Sequence, residues 1–248
     1  MFAVVDRAPL AAAAGIASSV GGLIFALARG RRRIAVNNIL QSGITADRAE
    51  ARRIARDSFR HFAVLSAESL LAPRFMREET WREHATIEMS PEVEEAWRNP
   101  EQGILLASGH LGNWEIGAQA MSFFKPIVGI HRGLNNPYID RLMQSRLPGN
   151  EYRMTPKHHS DKGRFLRVLK QGQALAVMID QHARSQAVVV DFFGRPAATH
   201  KTAALLRLAT GAFLCMGACI RTGPAGYHVK LTAPALPPPT GDRRRDMQ

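Results

Sequence analysis

The stretch GILLASGHLGNWEIG, Gly103 to Gly117, places a histidine and a glutamate five residues apart, His110 and Glu115. Such a pair could act as a general base and its orienting carboxylate, because a carboxylate that accepts a proton from one imidazole nitrogen leaves the other nitrogen basic. On one continuous helix, residues five apart point about 140° from each other. The pair can therefore meet only if the histidine precedes the helix that carries the glutamate.

The neighbouring residues predict that arrangement. Ile104 to Ala107 is a short apolar run, typical of a strand buried on both faces. Gly109 and Gly112 permit a tight bend, and Asn113 is a good N-cap for a helix from Trp114 to about Phe124. The histidine would then lie just beyond the strand, with the glutamate in the first helical turn, where backbone N–H groups could help to hold an oxyanion. The alternative is a histidine satisfied by a cap and a glutamate that only stabilises the helix start.

Composition narrows the class of protein. The chain has 248 residues, 46% of them hydrophobic, so it can bury one sizeable core with an appendage. Its net charge of +12 suits nucleic acid, anionic lipid headgroups or an acidic protein partner, and composition alone does not choose among them. Cys215 and Cys219 lie in an apolar run, which indicates buried reduced thiols. His158, His159 and His182 have no repeating ligand spacing, so we predict no metal site.

The N-terminal segment from Ala8 to Ala28 is uncharged and long enough to cross a bilayer. Its large apolar residues fall on one helical stripe: Ile16, Val20, Leu23, Ile24 and Leu27. Three interpretations stay open, namely a membrane anchor, a secretory signal ending at residues 26–28, and an ordinary amphipathic helix. Four arginines at 29, 31, 32 and 33 follow directly, which favours retention on the cytoplasmic side beside anionic lipid.

The remaining pattern alternates between helices and strands, which predicts an α/β fold. Helices are predicted over 45–71, with Thr45 as cap, and over 91–98, 137–147, 161–171 and 201–210. Strands are predicted over 126–131, 174–180, 188–193 and 212–220, with 227–232 as an edge strand and residues around Trp81 and His84 as a connector. We expect an anchor or interfacial helix over 1–30, an α/β domain that carries the chemistry over 31–234, and a Pro-rich, charged tail over 235–248 that is extended or disordered.

Further polar residues follow predicted strands. Arg132 comes just after a strand, where a fixed cation can meet a phosphate, although a lone arginine there is more often a solvated loop residue. Asp180 stands at a strand's carboxyl end, the edge at which open α/β sheets place ligands, or else caps a loop. Arg195 lies on a loop into the next helix, where Thr199 could cap and Lys201 could meet phosphate.

These motifs carry a resemblance. HLGNWE resembles the H-x-x-x-x-[DE] motif of the lysophospholipid acyltransferase superfamily, and more closely that of the lipid A biosynthesis (lauroyl/myristoyl, Kdo-dependent) acyltransferase family. An Asn-Pro after the arginine, an Asp-Gln after a strand and a Phe-Phe-Gly-Arg-Pro-Ala loop follow in the same order, so the resemblance runs from about Arg31 to Thr232. The residues at 131 and 133 depart from the aromatic and proline that the family has there. The resemblance implies a mixed, largely parallel sheet flanked by helices, similar to glycerol-3-phosphate acyltransferase, with an N-terminal anchor helix.

The same resemblance implies transfer of a fatty acyl chain from acyl carrier protein or acyl-CoA to a hydroxyl of a lipid A precursor or related anionic glycolipid. It implies His110 as general base and Glu115 as its partner, no acyl-enzyme and no cofactor, at the cytoplasmic face of the inner membrane. Substrate-binding roles would fall to Arg132, Asn113, Asp180, Arg195 and Lys201. The absence of a G-x-S-x-G motif agrees with direct transfer, and Ser108 is best explained as a structural strand-end residue.

Two alternatives remain. Within enzymes, the acceptor could instead be a phosphatidylinositol mannoside or an ornithine-type lipid. In a different class, the chain would be a basic lipid- or nucleic-acid-binding protein whose dyad is structural, although we expect no nucleic-acid partner. An acyl-transfer assay separates these, because a binding protein yields no product with any acceptor.

Overall fold

The computed structural model describes residues 8–131, 136–138, 141, 145, 152–156, 162–184, 187–237, 240–242 and 246. The chain divides into two compact units, which we call the helical unit (residues 1–71 with 191–195) and the sheet unit (72–190 with 196–248). The α-helices are α1 (Leu10–Leu27), α2 (Arg29–Gln41), α3 (Arg48–Leu71), α4 (Trp81–His84), α5 (Pro91–Arg98), α6 (Trp114–Met121), α7 (Lys162–Lys170) and α8 (Thr202–Thr210). The strands are β1 (Ala85–Met89), β2 (Ile104–Gly112), β3 (Ile127–His131), β4 (Tyr152–Pro156), β5 (Ala174–Met178), β6 (Ala187–Phe192), β7 (Arg195–His200), β8 (Phe213–Gly223) and β9 (Gly226–Thr232).

In the helical unit, α1 packs against α3 through its small residues. Ala14, Gly21 and Phe25 are its buried positions. A Cβ atom at Gly21 would lie 2.6 Å from the carbonyl oxygen of Phe59 and 2.7 Å from the Cα of Arg60. Glycine at this position therefore lets the two helix backbones approach more closely than any other residue would allow.

Apart from the buried Phe25, the large apolar residues at the centre and end of α1 lie on its exposed side. Ile16, Val20, Leu23, Ile24 and Leu27 are all exposed, with Leu27 reaching 72%. The predicted stripe is therefore real, but it does not pack on the described protein. With 18 residues, α1 is long and apolar enough to cross a membrane by length and composition.

The sheet unit contains one seven-stranded sheet with the order β1-β9-β8-β2-β5-β3-β4. All neighbouring strands are parallel except β8 and β9, which are antiparallel. This confirms the predicted α/β class with a mixed, largely parallel sheet flanked by helices. Central strands β2 and β5 are apolar on both faces, and one face packs against α7 and α8 through Leu105, Leu175, Phe165, Leu169 and Leu206.

Some predicted elements were wrong. The connector around residues 81–84 leads into β1, which pairs with β9, so β9 is an interior strand and not an edge strand. Strand β4 was missed, and it forms the opposite edge beside β3. Both edge strands are defined by pairing with a strand distant in sequence, β1 with β9 and β4 with β3, which no local pattern shows.

Three helix boundaries also differ from prediction. Helix α3 begins at Arg48, where the side chain of Asp47 accepts a hydrogen bond from the backbone N–H of Ala49. The residue before α8 is Lys201 and not Thr199, which lies within β7. Helix α6 ends at Met121, three residues before the predicted end. Most of the helix predicted over 137–147 lies outside the described residues.

Residues 195–200 were expected to form a loop. They form strand β7, which pairs with β6 in a separate two-stranded sheet. The connection is a tight turn in which Phe193 has φ 55° and Gly194 has φ 70°. These left-handed conformations match the turns that join two antiparallel strands with two residues.

Candidate active site

Parallel pairing of β2 with β5 sets the geometry of the site. Ser108 lies opposite Met178, and the backbone N–H of Ile179 donates to the carbonyl oxygen of Ser108 at 3.0 Å. His110 and Asp180 each lie two residues beyond that pair. Because the strands are parallel, both side chains are brought to the same carboxyl-end edge of the sheet.

The sequence predicted that strand β2 ends before His110. Instead, β2 continues to Gly112 through a shift in register between Ser108 and Gly112. Gly112 has φ +61°, and a Cβ there would lie 1.8 Å from the carbonyl oxygen of Cys219. That same oxygen accepts a hydrogen bond from the backbone N–H of Asn113 at 2.9 Å. The irregular strand therefore closes against β8 and leaves His110 on an outward bulge.

The carboxylate of Asp180 binds His110 twice. Its Oδ1 lies 2.8 Å from the ring Nδ1, and its Oδ2 accepts the backbone N–H of the same residue at 2.6 Å. A Cβ at Gly109 would come within 3.1 Å of Oδ2, so glycine leaves room for the carboxylate. The two bonds together fix the position and the rotation of the imidazole.

The contacts of the ring define its tautomer. An ionised carboxylate only accepts hydrogen bonds, so Nδ1 carries the proton and Nε2 carries the lone pair. The side-chain amide nitrogen of Gln181 lies 3.3 Å from Nε2, where it can donate to that lone pair. Trp114 contacts the ring edge to face, with centroids 4.7 Å apart and an interplanar angle of 70°. When the ring is neutral, these contacts leave Nε2 as its basic nitrogen.

The helix start is built as predicted around Asn113. Its side chain is fully buried and accepts the backbone N–H of Ile116 at 3.2 Å, which confirms the N-cap. Glu115 lies in the first turn of α6 and is 9% exposed. His110 contacts Asp180, Gln181 and Trp114 among the described residues, and its pairing with Glu115 stays a prediction.

The potential nucleophiles near the histidine are held in structural roles. The Ser108 hydroxyl donates to the carbonyl oxygen of Gly217 at 2.7 Å, which directs its proton away from the imidazole. Cys215 and Cys219 are buried free thiols, as predicted. Burial raises the pKa of Cys215 to about 12, so this thiol is protonated at neutral pH.

A cavity of about 1090 Å³ lies beside His110 within the sheet unit. Ser108, His110, Trp114 and Gln181 contribute polar groups to it. Most of its remaining wall is apolar, with large side chains from Leu106, Met121, Phe165, Val177, Ile179 and Leu231. An apolar cavity with a few convergent polar groups is typical of a small-molecule site.

The other predicted site residues are Lys201, Arg195 and Arg132. Lys201 is partly exposed between His200 and Thr202, both of which line the cavity. Arg195 belongs to the helical unit, where it donates to Gln41 Oε1 at 2.7 Å. Arg132 lies outside the described residues.

Sequence reasoning missed two residues that contact the imidazole, Gln181 and Trp114, and it assigned Asp180 to substrate binding. The available signal was the Asp-Gln pair two residues beyond an apolar strand. Its meaning depends on knowing that β5 lies next to β2, which no local pattern reveals.

Comparison with known proteins fits this geometry. The chain matches the bacterial lipid A biosynthesis acyltransferase family over residues 1–248. The protein belongs to that family. A lipid A biosynthesis acyltransferase of Haemophilus influenzae is 28% identical over 141 residues, which cover 55% of this chain and 44% of that relative. The matched region is therefore less than half of the relative's length.

The chain is thus a member of an acyltransferase family, and acyl transfer to a lipid is a reaction class that requires an acyl donor and a lipid acceptor. The family also suggests membrane association, and α1 is the candidate anchor within the described residues. The family match and the motif resemblance both indicate acyl transfer, for which the cavity beside His110 is the candidate site.

Proposed function

We propose that this acyltransferase moves a fatty acyl chain from acyl carrier protein or acyl-CoA to a hydroxyl of a lipid A precursor or a related glycolipid. The proposal is carried by the contact of His110 Nδ1 with Asp180 Oδ1 at 2.8 Å beside the apolar cavity. That contact supplies a histidine with one basic nitrogen at the place where a fatty chain can be buried.

His110 acts as the general base. The acceptor hydroxyl replaces the Gln181 amide at Nε2 and gives its proton to that nitrogen, while its oxygen attacks the thioester carbonyl. The tetrahedral intermediate then collapses, the carbon–sulfur bond breaks, and Nε2 returns the proton to the departing thiolate. The new ester and the free thiol account for every atom, and no acyl-enzyme forms.

Asp180 orients the imidazole and stabilises the imidazolium that forms during the reaction. Glu115 is the orienting carboxylate that the motif implies, and it is the competing assignment. The two carboxylates can be compared directly, because each can be replaced by its amide of nearly the same shape. We assign the larger contribution to Asp180, since it contacts the ring and the backbone of His110.

The substrate phosphates would be held by cations outside the dyad. Our candidates for phosphate binding are Arg132 and Lys201 in the sheet unit and Arg195 at the start of β7. Asn113 supports the start of α6, which would lie beside the oxyanion. The arginines after α1 support a position at the inner membrane with the catalytic unit facing the cytoplasm.

The test is an acyl-transfer assay with labelled acyl carrier protein, acyl-CoA and a panel of acceptors. The panel contains a lipid A precursor, a phosphatidylinositol mannoside and an ornithine-type lipid. We expect product with the lipid A precursor, and a decrease of about 10²-fold or more for Asp180→Asn. A larger loss for Glu115→Gln would transfer the orienting role to Glu115.

Ser108→Ala is the matched control, because it removes a hydroxyl near His110 without changing His110, Asp180 or Glu115. We expect it to keep the wild-type rate within a fewfold. Loss of activity together with a trapped acyl group on Ser108 in the wild type would overturn direct transfer. A protein that binds lipid but yields no product with any acceptor would overturn the enzymatic proposal itself.

A further inference from the structure

A second cavity, lined largely by arginine, lies in the helical unit. Its volume is about 260 Å³, and we call it the arginine cavity. It is lined by Arg29, Arg32, Arg33, Val36, Arg48 and Arg52. None of these residues lines the cavity beside His110, so the reaction proposed above does not use them.

The helical repeat explains why the arginines converge. Residues 29, 32, 33 and 36 are spaced three and four apart, so they share one face of α2. Arg48 and Arg52 are four apart at the start of α3, so they share a face as well. The two helices present these faces to the same cavity.

Two of the guanidinium groups are held in place before any ligand binds. Arg32 donates to the carbonyl oxygens of Phe25 and Ala26 at 3.1 and 2.8 Å, which satisfies the end of α1. The guanidinium carbons of Arg32 and Arg52 lie 5.6 and 5.4 Å from the ring centroid of Phe25, a buried side chain. This cation–π contact reduces the entropy that these side chains would lose on binding.

The nearby carboxylates are bound elsewhere. Arg53, which does not line the cavity, holds Glu50 at 2.6 Å and Asp57 at 3.3 Å. Asp47 caps α3 through the backbone N–H of Ala49. Across the described part of the chain, none of the five cavity arginines has a carboxylate within ion-pair distance. Five like charges around one cavity favour an anionic ligand.

The location identifies the anion. The cavity lies at the C-terminal end of α1, whose exposed apolar stripe suits lipid. Arginine forks bind phosphate oxygens in pairs, and clustered arginines beside a membrane helix attract anionic headgroups. We propose that the arginine cavity binds the phosphate of an anionic membrane phospholipid and thereby holds α1 at the bilayer surface.

The test uses the full chain in nonionic detergent and follows its melting temperature while soluble short-chain lipids are added. Dioctanoyl-phosphatidylglycerol should stabilise the protein, because a ligand that binds only the folded state raises its melting temperature. Dioctanoyl-phosphatidylcholine should raise it far less at the same concentration. The readout does not require turnover, so its failure would leave the proposed acyl transfer untouched.

A pair of double variants makes the test specific. Arg33→Gln with Arg48→Gln removes two exposed cavity charges, and Arg31→Gln with Arg56→Gln removes two charges from the same helices outside the cavity. At about fivefold in affinity per basic residue, the cavity variant should need about 30-fold more phosphatidylglycerol. The control variant should respond as the wild type does.

Three results would overturn the proposal. The cavity variant could respond as the control does, or phosphatidylcholine could stabilise the wild type as strongly as phosphatidylglycerol. Alternatively, inorganic phosphate could give the full effect at the concentration of the lipid, which would assign the cavity to a free anion.

Discussion

The two units differ in how many of their large apolar side chains are buried. In the sheet unit, Leu105, Leu175 and Phe165 are buried between the sheet and its helices. In the helical unit, the small residues of α1 are buried against α3, while Leu23 and Leu27 are 58% and 72% exposed. The sheet unit thus has a large apolar core, whereas α1 of the helical unit presents a stripe of large apolar side chains outward.

The glycines of the two units show the same contrast. Gly112 allows a backbone conformation and a close approach to β8 beside His110, the proposed general base. Gly21 allows two helices to cross closely while leaving the bulky residues of α1 outside. We propose that the sheet unit carries the chemistry and that the helical unit meets lipid, and the following predictions test this contrast.

The largest effect should fall on the chemistry of the sheet unit. His110→Ala should lower the rate of acyl transfer by about 10²- to 10⁴-fold, because it removes the general base. The free energy of unfolding should change little, since the His110 side chain is about one-third exposed. The rate is measured with saturating donor and acceptor, and unfolding is followed by urea titration. Retention of the wild-type rate would refute the proposed mechanism.

A large loss of stability should follow from Gly112→Ala. Gly112 has a left-handed φ, and a Cβ atom at this position would lie 1.8 Å from the carbonyl oxygen of Cys219. There is therefore no space for a methyl group. We expect a destabilisation of about 3 kcal/mol or more. Gly43→Ala is the control, because Gly43 also has a positive φ but no atom within 4 Å of its Cβ position. Equal losses for the two variants would show that backbone strain alone, and not the close approach, sets the cost.

A smaller effect should appear on the lipid side of the comparison. Leu23→Ser with Leu27→Ser should weaken partitioning into vesicles by about tenfold or more, because both side chains expose apolar surface. Stability in detergent should be nearly unchanged. The bound fraction is measured by vesicle flotation, with alkaline carbonate extraction to separate integral from peripheral attachment. Unchanged partitioning would mean that the exposed stripe does not contact lipid.

The smallest effect should be the alkaline titration of a buried thiol. Burial raises the pKa of Cys215 from 9.0 to about 12, so the folded state holds this proton more tightly than the unfolded state does. The resulting stability is complete below pH 9 and is lost as pH rises towards 12. Between pH 8 and 10 the loss should be about 1 kcal/mol. Cys215→Ala should show a shallower dependence in urea unfolding, and parallel curves would contradict this assignment.

Much of the fold followed from local patterns. The apolar run before His110, the cap at Asn113 and the helix over 162–170 all depend on neighbouring residues, so the sequence displays them directly. Strand β1 did not, because its partner β9 lies about 140 residues later and the pairing of Ala85 with Tyr227 is a long-range contact. Short edge strands depend on such partners more than on their own composition.

The site divides in the same way. The histidine was identifiable because its motif is contiguous, whereas Asp180 follows it by 70 positions and meets it only through the pairing of β2 with β5. Strand order depends on the whole fold, so the sequence around residue 180 does not show that β5 lies next to β2. The carboxylate five residues away was therefore the natural choice of partner for the histidine.

The double contact of Asp180 with His110 has a consequence for how the two substrates must meet. Nδ1 and the backbone N–H of His110 both bind the carboxylate of Asp180. Only Nε2 is then left to accept the proton and to return it in the proposed reaction. In the proposed mechanism, the acceptor hydroxyl that loses a proton and the sulfur that gains one must therefore come, in turn, to this one nitrogen. If the proposed donor and acceptor are correct, the carrier arm and the glycolipid must share one compartment, and inhibitors that join a short thiol mimic to a sugar mimic through one tetrahedral centre should bind best.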